Sequence, residues 1–378
     1  LDSNEEKMSY LKQLKTPLFK VFQPEGVAEA LAETFKSGFI AEGAKTAQFK
    51  DEVGKFIHNQ QTVLMNSCTM AIAVAYRLCG VGPGSEVVTT PLTCVASNQP
   101  ILSLGAKAVW ADCDRKTGMI TAETIKPKLT ERTRAILVLH KEGDLARMDE
   151  IIALAHSHGI KVIEDAAHAF GARYKDRPVG TIGDFACFSF QAIKHITTGD
   201  GGALSCRSEE DFHRAKRLKW FGVDRDARTD ISPWEQDVPE WGYKGNMNDL
   251  ASTVGLLQIK HADQIVKRFH EVGERYSTLL NGVPGVTLIQ RDSADYSSYW
   301  AYCLVVENRK GLIAKLNENG IGAAQIHPRN DIYSMFKESK CELPETDWFN
   351  PRELCIPSGW WVTDEEQDRI CDVIKSGW

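Results

Sequence analysis

From about residue 26 onward, stretches with helical spacing of apolar positions alternate with short β-branched runs. The helical stretches are Val27 to Lys36, Thr69 to Leu78 and Glu150 to His158, and the strand-like runs are Glu86 to Thr90, Ala108 to Asp112, Ala135 to His140 and Lys161 to Glu164. Such alternation predicts a mostly parallel central sheet flanked by helices, the α/β architecture in which ligands gather at the carboxyl ends of strands. The segments Gly80 to Glu86 and Gly105 to Lys107 read as turns between these units. Past Asp249 the pattern changes. A long helical stretch, Leu250 to Glu274, leads into runs at Val286 to Gln290, Ala301 to Val306 and Gly322 to Ile326, with helices near Gly311 to Asn319 and Thr363 to Lys375. The expected division is a large α/β domain over 1–249, including the N-terminal segment, and a small α+β domain over 250–378, packed together without a Ser/Gly-rich linker.

Composition narrows the class. The 378 residues are 43% hydrophobic and 25% charged, with a formal net charge of -6, so no basic surface suited to nucleic acid is expected. Ten cysteines without a C-x-x-C pair suggest reduced thiols and no metal site, and no run is apolar enough to span a bilayer. A cytoplasmic protein without a membrane partner is the expectation. The chain begins at Leu1 without an initiator Met, so a processed or artificial end is expected.

Two residues carry the chemistry. Lys194 ends the apolar stretch Cys187 to Ile193 and opens onto Thr197-Thr198-Gly199-Asp200-Gly201-Gly202. A poorly hydrated lysine loses charge and can attack a carbonyl, which suggests a Schiff base, most simply with pyridoxal 5′-phosphate. Asp165 ends a second apolar run, where a carboxylate would keep the cofactor's pyridinium nitrogen protonated. His168 is either a core histidine or a partner of the ring hydroxyl or of Asp165 itself. Asn66 to Ala71, with Thr69, is either a plain helix cap or a phosphate site, and Ser189 is either a local bond or a second phosphate donor.

Taken in order, Ser37 to Gly43, Ser67 to Ile72, Glu164-Asp165-Ala166-Ala167-His168, Phe188-Ser189-Phe190 with Lys194, Gly199 to Ala203, and Gly242 to Asp249 followed by Gly255 to Gln258 resemble the DegT/DnrJ/EryC1/StrS family of sugar aminotransferases over nearly the whole chain. The resemblance implies the fold of the type I, aspartate aminotransferase-like transferases and a homodimer whose active sites are shared across the interface. It implies Lys194 as the cofactor lysine, Asp165 at the pyridine nitrogen, His168 near the phenolic oxygen, and Cys68, Thr69 and Ser189 at the phosphate. Pyridoxamine 5′-phosphate would be the cofactor's amino form. Two departures stand out: Cys94 where many relatives place a stacking aromatic ring, and Lys244 where many have an asparagine that crosses to the partner's phosphate. Lys244 either serves that anion by charge or is a surface residue.

The activity so implied moves an amino group from an amino acid donor such as glutamate to a keto group of a nucleotide-linked deoxysugar, for surface polysaccharide or glycoconjugate biosynthesis. Competing readings are a transaminase of a non-nucleotide keto compound, a keto-deoxysugar 3-dehydratase in which a histidine replaces the lysine, and a cofactor-binding sensor without turnover. His195, directly after Lys194, keeps the dehydratase reading open. Lys219 to Arg225, with Trp220, suits either a nucleotide or a dimer contact. His327, Arg329 and Tyr333 are candidates for closing over the sugar or the donor carboxylate, and Arg329 is the better anion partner. Trp360 and Trp361 read as packing. The polar stretch His140 to Leu145 after an apolar strand has no explanation at this level.

Overall fold

The structure is a computed structural model that describes residues 14–226 and 235–378. A seven-stranded sheet is built from β1 (Thr62–Met65), β2 (Glu86–Thr89), β3 (Lys107–Trp110), β4 (Thr133–Leu139), β5 (Lys161–Asp165), β8 (Phe185–Ser189) and β9 (Gly202–Cys206). Between β5 and β8 the chain makes the small antiparallel hairpin β6 (Arg173–Tyr174) and β7 (Arg177–Pro178). Strand order is β1-β9-β8-β5-β4-β2-β3, and β9 alone runs against the others. The expected mostly parallel sheet is therefore observed.

Helices cover both faces, so the central strands can be apolar throughout. Alternate residues feed two cores. Ile136, Val138, Val162, Ala186 and Phe188 join one, while Ala135, Leu137, Ile163, Phe185 and Cys187 join the other.

A second sheet of β10 (Val286–Leu288), β11 (Tyr302–Val306) and β12 (Glu353–Ile356) is antiparallel and packs with its own core. Gly322 to Ile326, expected as a strand, makes only an isolated bridge from Ala324 to Cys355. Its neighbours bond elsewhere: Gly322 N–H donates to the Thr16 carbonyl, and the Gly320 carbonyl accepts from Lys15 and Thr16. The N-terminal chain thus competes for that segment's backbone groups, and Glu353–Ile356 completes the sheet instead.

The expected continuous helix from Leu250 divides into Asp249–Gln258 and Ala262–Leu279, joined by a 3-10 turn, Ile259–His261. The first half packs on helices Val27–Ser37 and Ala44–Phe56, the second on helix Asp364–Lys375. The division expected at 249/250 falls at the start of this helix, and residues 1–13 and 227–234 of its first part lie outside the described residues. Asp249 itself caps helix Ala44–Phe56 by accepting from the N–H groups of Gly43 and Thr46 at 2.8 and 2.9 Å.

The polar stretch after β4 is a buried ionic seam between the two sheets. Lys141 Nζ lies 2.5 Å from Glu353 and 3.2 Å from Glu142, while Arg291 donates to Asp144 at 2.7 Å. His140 and Glu164, both fully buried, pair at 2.9 Å. Burial raises the Glu142 carboxyl above its usual range, against the pull of Lys141. Cys303, Glu353 and Cys355 bring their ligand atoms within 4.8 Å of one another, and Lys141 supplies the positive charge there. All ten cysteines are free thiols. No described helix is long and apolar enough to cross a membrane.

Candidate active site

The carboxyl ends of β1, β4, β5 and β8 open onto a cavity of about 370 Å³. Its wall brings together Cys68, Thr69, Cys94, Asp165, His168, Ser189, Lys194 and His327 from the sequence-derived set. Trp220, Lys244, Arg329 and Tyr333 are not part of that wall.

Asp165 ends the central strand β5 and is 2% exposed. Ser97 Oγ donates to its Oδ2 at 2.6 Å and the Ala167 N–H to its Oδ1 at 3.1 Å. Thr93 and Ser97 hydroxyls lie 2.8 Å apart behind it. Burial raises the Asp165 carboxyl, and these donors with Lys194 oppose that rise.

Lys194 sits in the loop that joins β8 to β9. That loop is pinned by the Phe190 N–H to Gly201 carbonyl bond and the Thr198 N–H to Phe190 carbonyl bond, both 2.9 Å. Its Nζ is half-buried above the Trp300 ring, and burial brings its pKa down to about 8. His195 faces the other way: its Nε2 bonds the Ser298 carbonyl at 2.9 Å and it is absent from the cavity wall. Of these two neighbours, it is therefore Lys194 that faces the cavity.

The phosphate candidates converge at the start of helix Cys68–Leu78, capped by Ser67, whose Oγ accepts from Met70 N–H at 3.1 Å. Strand β9 comes in tightly there. A Cβ on Gly202 would stand 2.5 Å from the Cys68 nitrogen, so only glycine permits the approach. Ser189, at the end of β8, lies beside it in the wall.

His168 is buried, its ring stacked on Trp300 at 3.9 Å, and its Nδ1 has no partner among the described residues. Burial holds it neutral, well below its ordinary pKa. His327 lies parallel to it at 5.7 Å and is pushed down to about 3 by burial.

Elsewhere the candidates have other partners. Arg329 is engaged by Asp331, at 2.7 and 2.6 Å, and by Asp347. Lys244 donates to Asn246 at 2.9 Å and stands beside Trp220 and Phe221. Tyr333 packs into the apolar cluster around Trp110 and Phe336. Trp361 packs into the core and donates to the Pro17 carbonyl at 3.0 Å, while Trp360 packs against Phe22. The sequence reading missed Ser97 and Trp300. Ser97 stands three residues after Cys94, one helical turn on, and could have been found from that spacing; Trp300 has no local signal.

The donor set fits pyridoxal phosphate: an amine of lowered pKa, a buried carboxylate, an orphaned histidine nitrogen, and helix N-terminal amides with hydroxyls. Fold and cavity thus define a type I transferase architecture. The chain matches the family model described as the DegT/DnrJ/EryC1/StrS aminotransferase family over residues 24–375, and it belongs to that family. It is 34% identical over 364 residues to the spore coat polysaccharide biosynthesis protein SpsC of Bacillus subtilis, covering 92% of this chain and 93% of that one. With the UDP-4-amino-4-deoxy-L-arabinose–oxoglutarate aminotransferase of Shewanella sediminis it shares 33% over 357 residues, 90% and 92% of the two chains. The crystal structure of the sugar aminotransferase CalS13 from Micromonospora echinospora superposes with a TM-score of 0.92 at 31% identity, covering 96% of this chain and all of that one.

Proposed function

We propose that this protein is a pyridoxal-phosphate-dependent aminotransferase that moves an amino group from an amino acid, glutamate, to the keto group of a nucleotide-linked deoxysugar for polysaccharide or glycoconjugate assembly. The observation that carries the reading is the placement of Lys194 and Asp165 in the wall of one cavity, with His195 turned away. Names of similar proteins support the substrate class: one is named for spore coat polysaccharide biosynthesis, and another as an aminotransferase of UDP-4-amino-4-deoxy-L-arabinose and oxoglutarate.

When bound, pyridoxal phosphate supplies an aldehyde and an electron-poor ring that spreads the charge left by removing an α-proton. The chain's own groups do the rest. The Cys68 and Thr69 amides, with the Thr69 and Ser189 hydroxyls, would hold the phosphate. Asp165 would hold a proton on the ring nitrogen by its negative charge, and His168 would bond the ring hydroxyl. Lys194 Nζ, neutral in part near pH 8, would take the donor's α-proton and pass it to the cofactor, and in the second half-reaction would carry a proton back to the sugar carbon that gains the amine.

A homodimer in the cytoplasm completes the reading. Exposed apolar side chains at Phe35, Phe39, Ile40 and Trp241 support such a contact, and Lys244 would reach the partner's phosphate from beside Trp220. The test is to incubate the protein, cofactor and glutamate with GDP-, dTDP-, UDP- and CDP-linked 4-keto and 3-keto sugars and follow product mass. Amination of one class supports the reading. Amination of a simple keto phosphate alone would refute the nucleotide-sugar assignment.

A further inference from the structure

Trp300 precedes β11 in the small sheet, yet it meets the lysine loop in two ways. Its ring centroid is 3.5 Å from Lys194 Nζ, and its Nε1–H donates to the carbonyl of Ile193, the preceding residue, at 2.7 Å. Two further rings grip it: His168 stacks at 3.9 Å and Phe19 at 4.7 Å. The side chain is fully buried. An indole fixed in this manner cannot shift without disturbing the backbone that carries the lysine.

A buried aromatic face attracts an ammonium through its quadrupole. Desolvation opposes this, and the charge of Nζ reflects the balance. Asp165 on β5, Cys68 and Cys94 at two helix starts, and Glu142 after β4 favour the charged amine. His168, His195 and His327, the other titratable groups close to it, are kept neutral by burial.

We propose that Trp300 is a positioning residue for Lys194, giving its ammonium a fixed resting place inside the cavity whenever Nζ is not bonded to the cofactor. The inference rests on Lys194 being the cofactor lysine. A free lysine stem is flexible and loses side-chain entropy when ordered. A preset anchor next to the second sheet would hold the Lys194 amine at the cavity wall while it is free.

The experiment uses the cofactor-free full chain as wild type, Trp300→Phe and Trp300→Leu. Acylation of Lys194 by acetic anhydride is followed against pH, by the mass of the peptide that contains it. The wild-type midpoint is expected at about 8. Trp300→Leu, without an aromatic face, should lower it by about one unit, roughly a tenfold larger neutral fraction at lower pH, and Trp300→Phe should lower it less. Equal or raised midpoints in folded variants would overturn the proposal. Should circular dichroism show Trp300→Leu unfolded, the phenylalanine variant decides alone: a lowered midpoint supports the anchor, an unchanged one refutes it. Borohydride reduction of the cofactor-loaded chain separates the two claims, because a label on another lysine would sink the assignment of Lys194 whatever the midpoints show.

Discussion

Replacing Ser97 by alanine removes the hydroxyl that donates to Asp165 at 2.6 Å, with both side chains 2% exposed. A buried hydrogen bond to a charged acceptor contributes about 1.5–3 kcal/mol. At about 1.4 kcal/mol per pKa unit, the Asp165 carboxyl should rise by about one to two units, adding to the rise that burial already imposes. A carboxylate harder to ionise holds a protonated ring nitrogen less well. Cofactor affinity should therefore fall, by at most roughly 10- to 100-fold. Titrating the cofactor-free protein with pyridoxal phosphate and measuring bound cofactor by equilibrium dialysis reads this directly. Ser97→Thr, which keeps the hydroxyl, should stay close to wild type. An alanine variant that binds the cofactor as tightly as wild type would show that Ser97 does not set the state of Asp165.

Two other outcomes are expected. Capture of pyridoxal phosphate by the cofactor-free chain needs the neutral amine of Lys194, so its rate should climb with pH and level off above a midpoint near about 8; stopped-flow absorbance measures this, and a midpoint near 10 would contradict it. Lys141→Met leaves Glu142 and Glu353 buried without their shared cation and should destabilise the chain by about 3–5 kcal/mol in urea melts, with the slope unchanged. Unchanged stability would refute that role.

Asp165 was legible in the sequence because it closes an apolar strand, and Lys194 because it follows the end of another in the loop after Ser189; in a parallel sheet those ends lie on the same side. The register of β5 with β8 sets Asp165 opposite Cys187, two residues before Ser189, which is why a pattern of strands alone could place them together. Strand β9 was harder to see. Its leading Gly201-Gly202 reads as a turn, yet glycine is required by the approach to Cys68, a tertiary constraint. Trp300 was hidden for a similar reason: from the sequence it is one aromatic residue before an apolar strand, and only the packing of the second sheet brings it to the lysine. The polar stretch His140 to Asp144 could not be explained without Glu353, Glu164 and Arg291, whose positions the sequence does not give. Arg329 was attractive as a free cation, but its guanidinium is neutralised by Asp331, only two positions on.

The most direct test of the central claim is to load the protein with pyridoxal phosphate, reduce it with borohydride, digest it and sequence the labelled peptide by mass spectrometry. The account predicts a single label on Lys194, lost in Lys194→Ala while the fold persists. A label on any other lysine, or a Lys194→Ala protein that still carries the cofactor covalently, would contradict it.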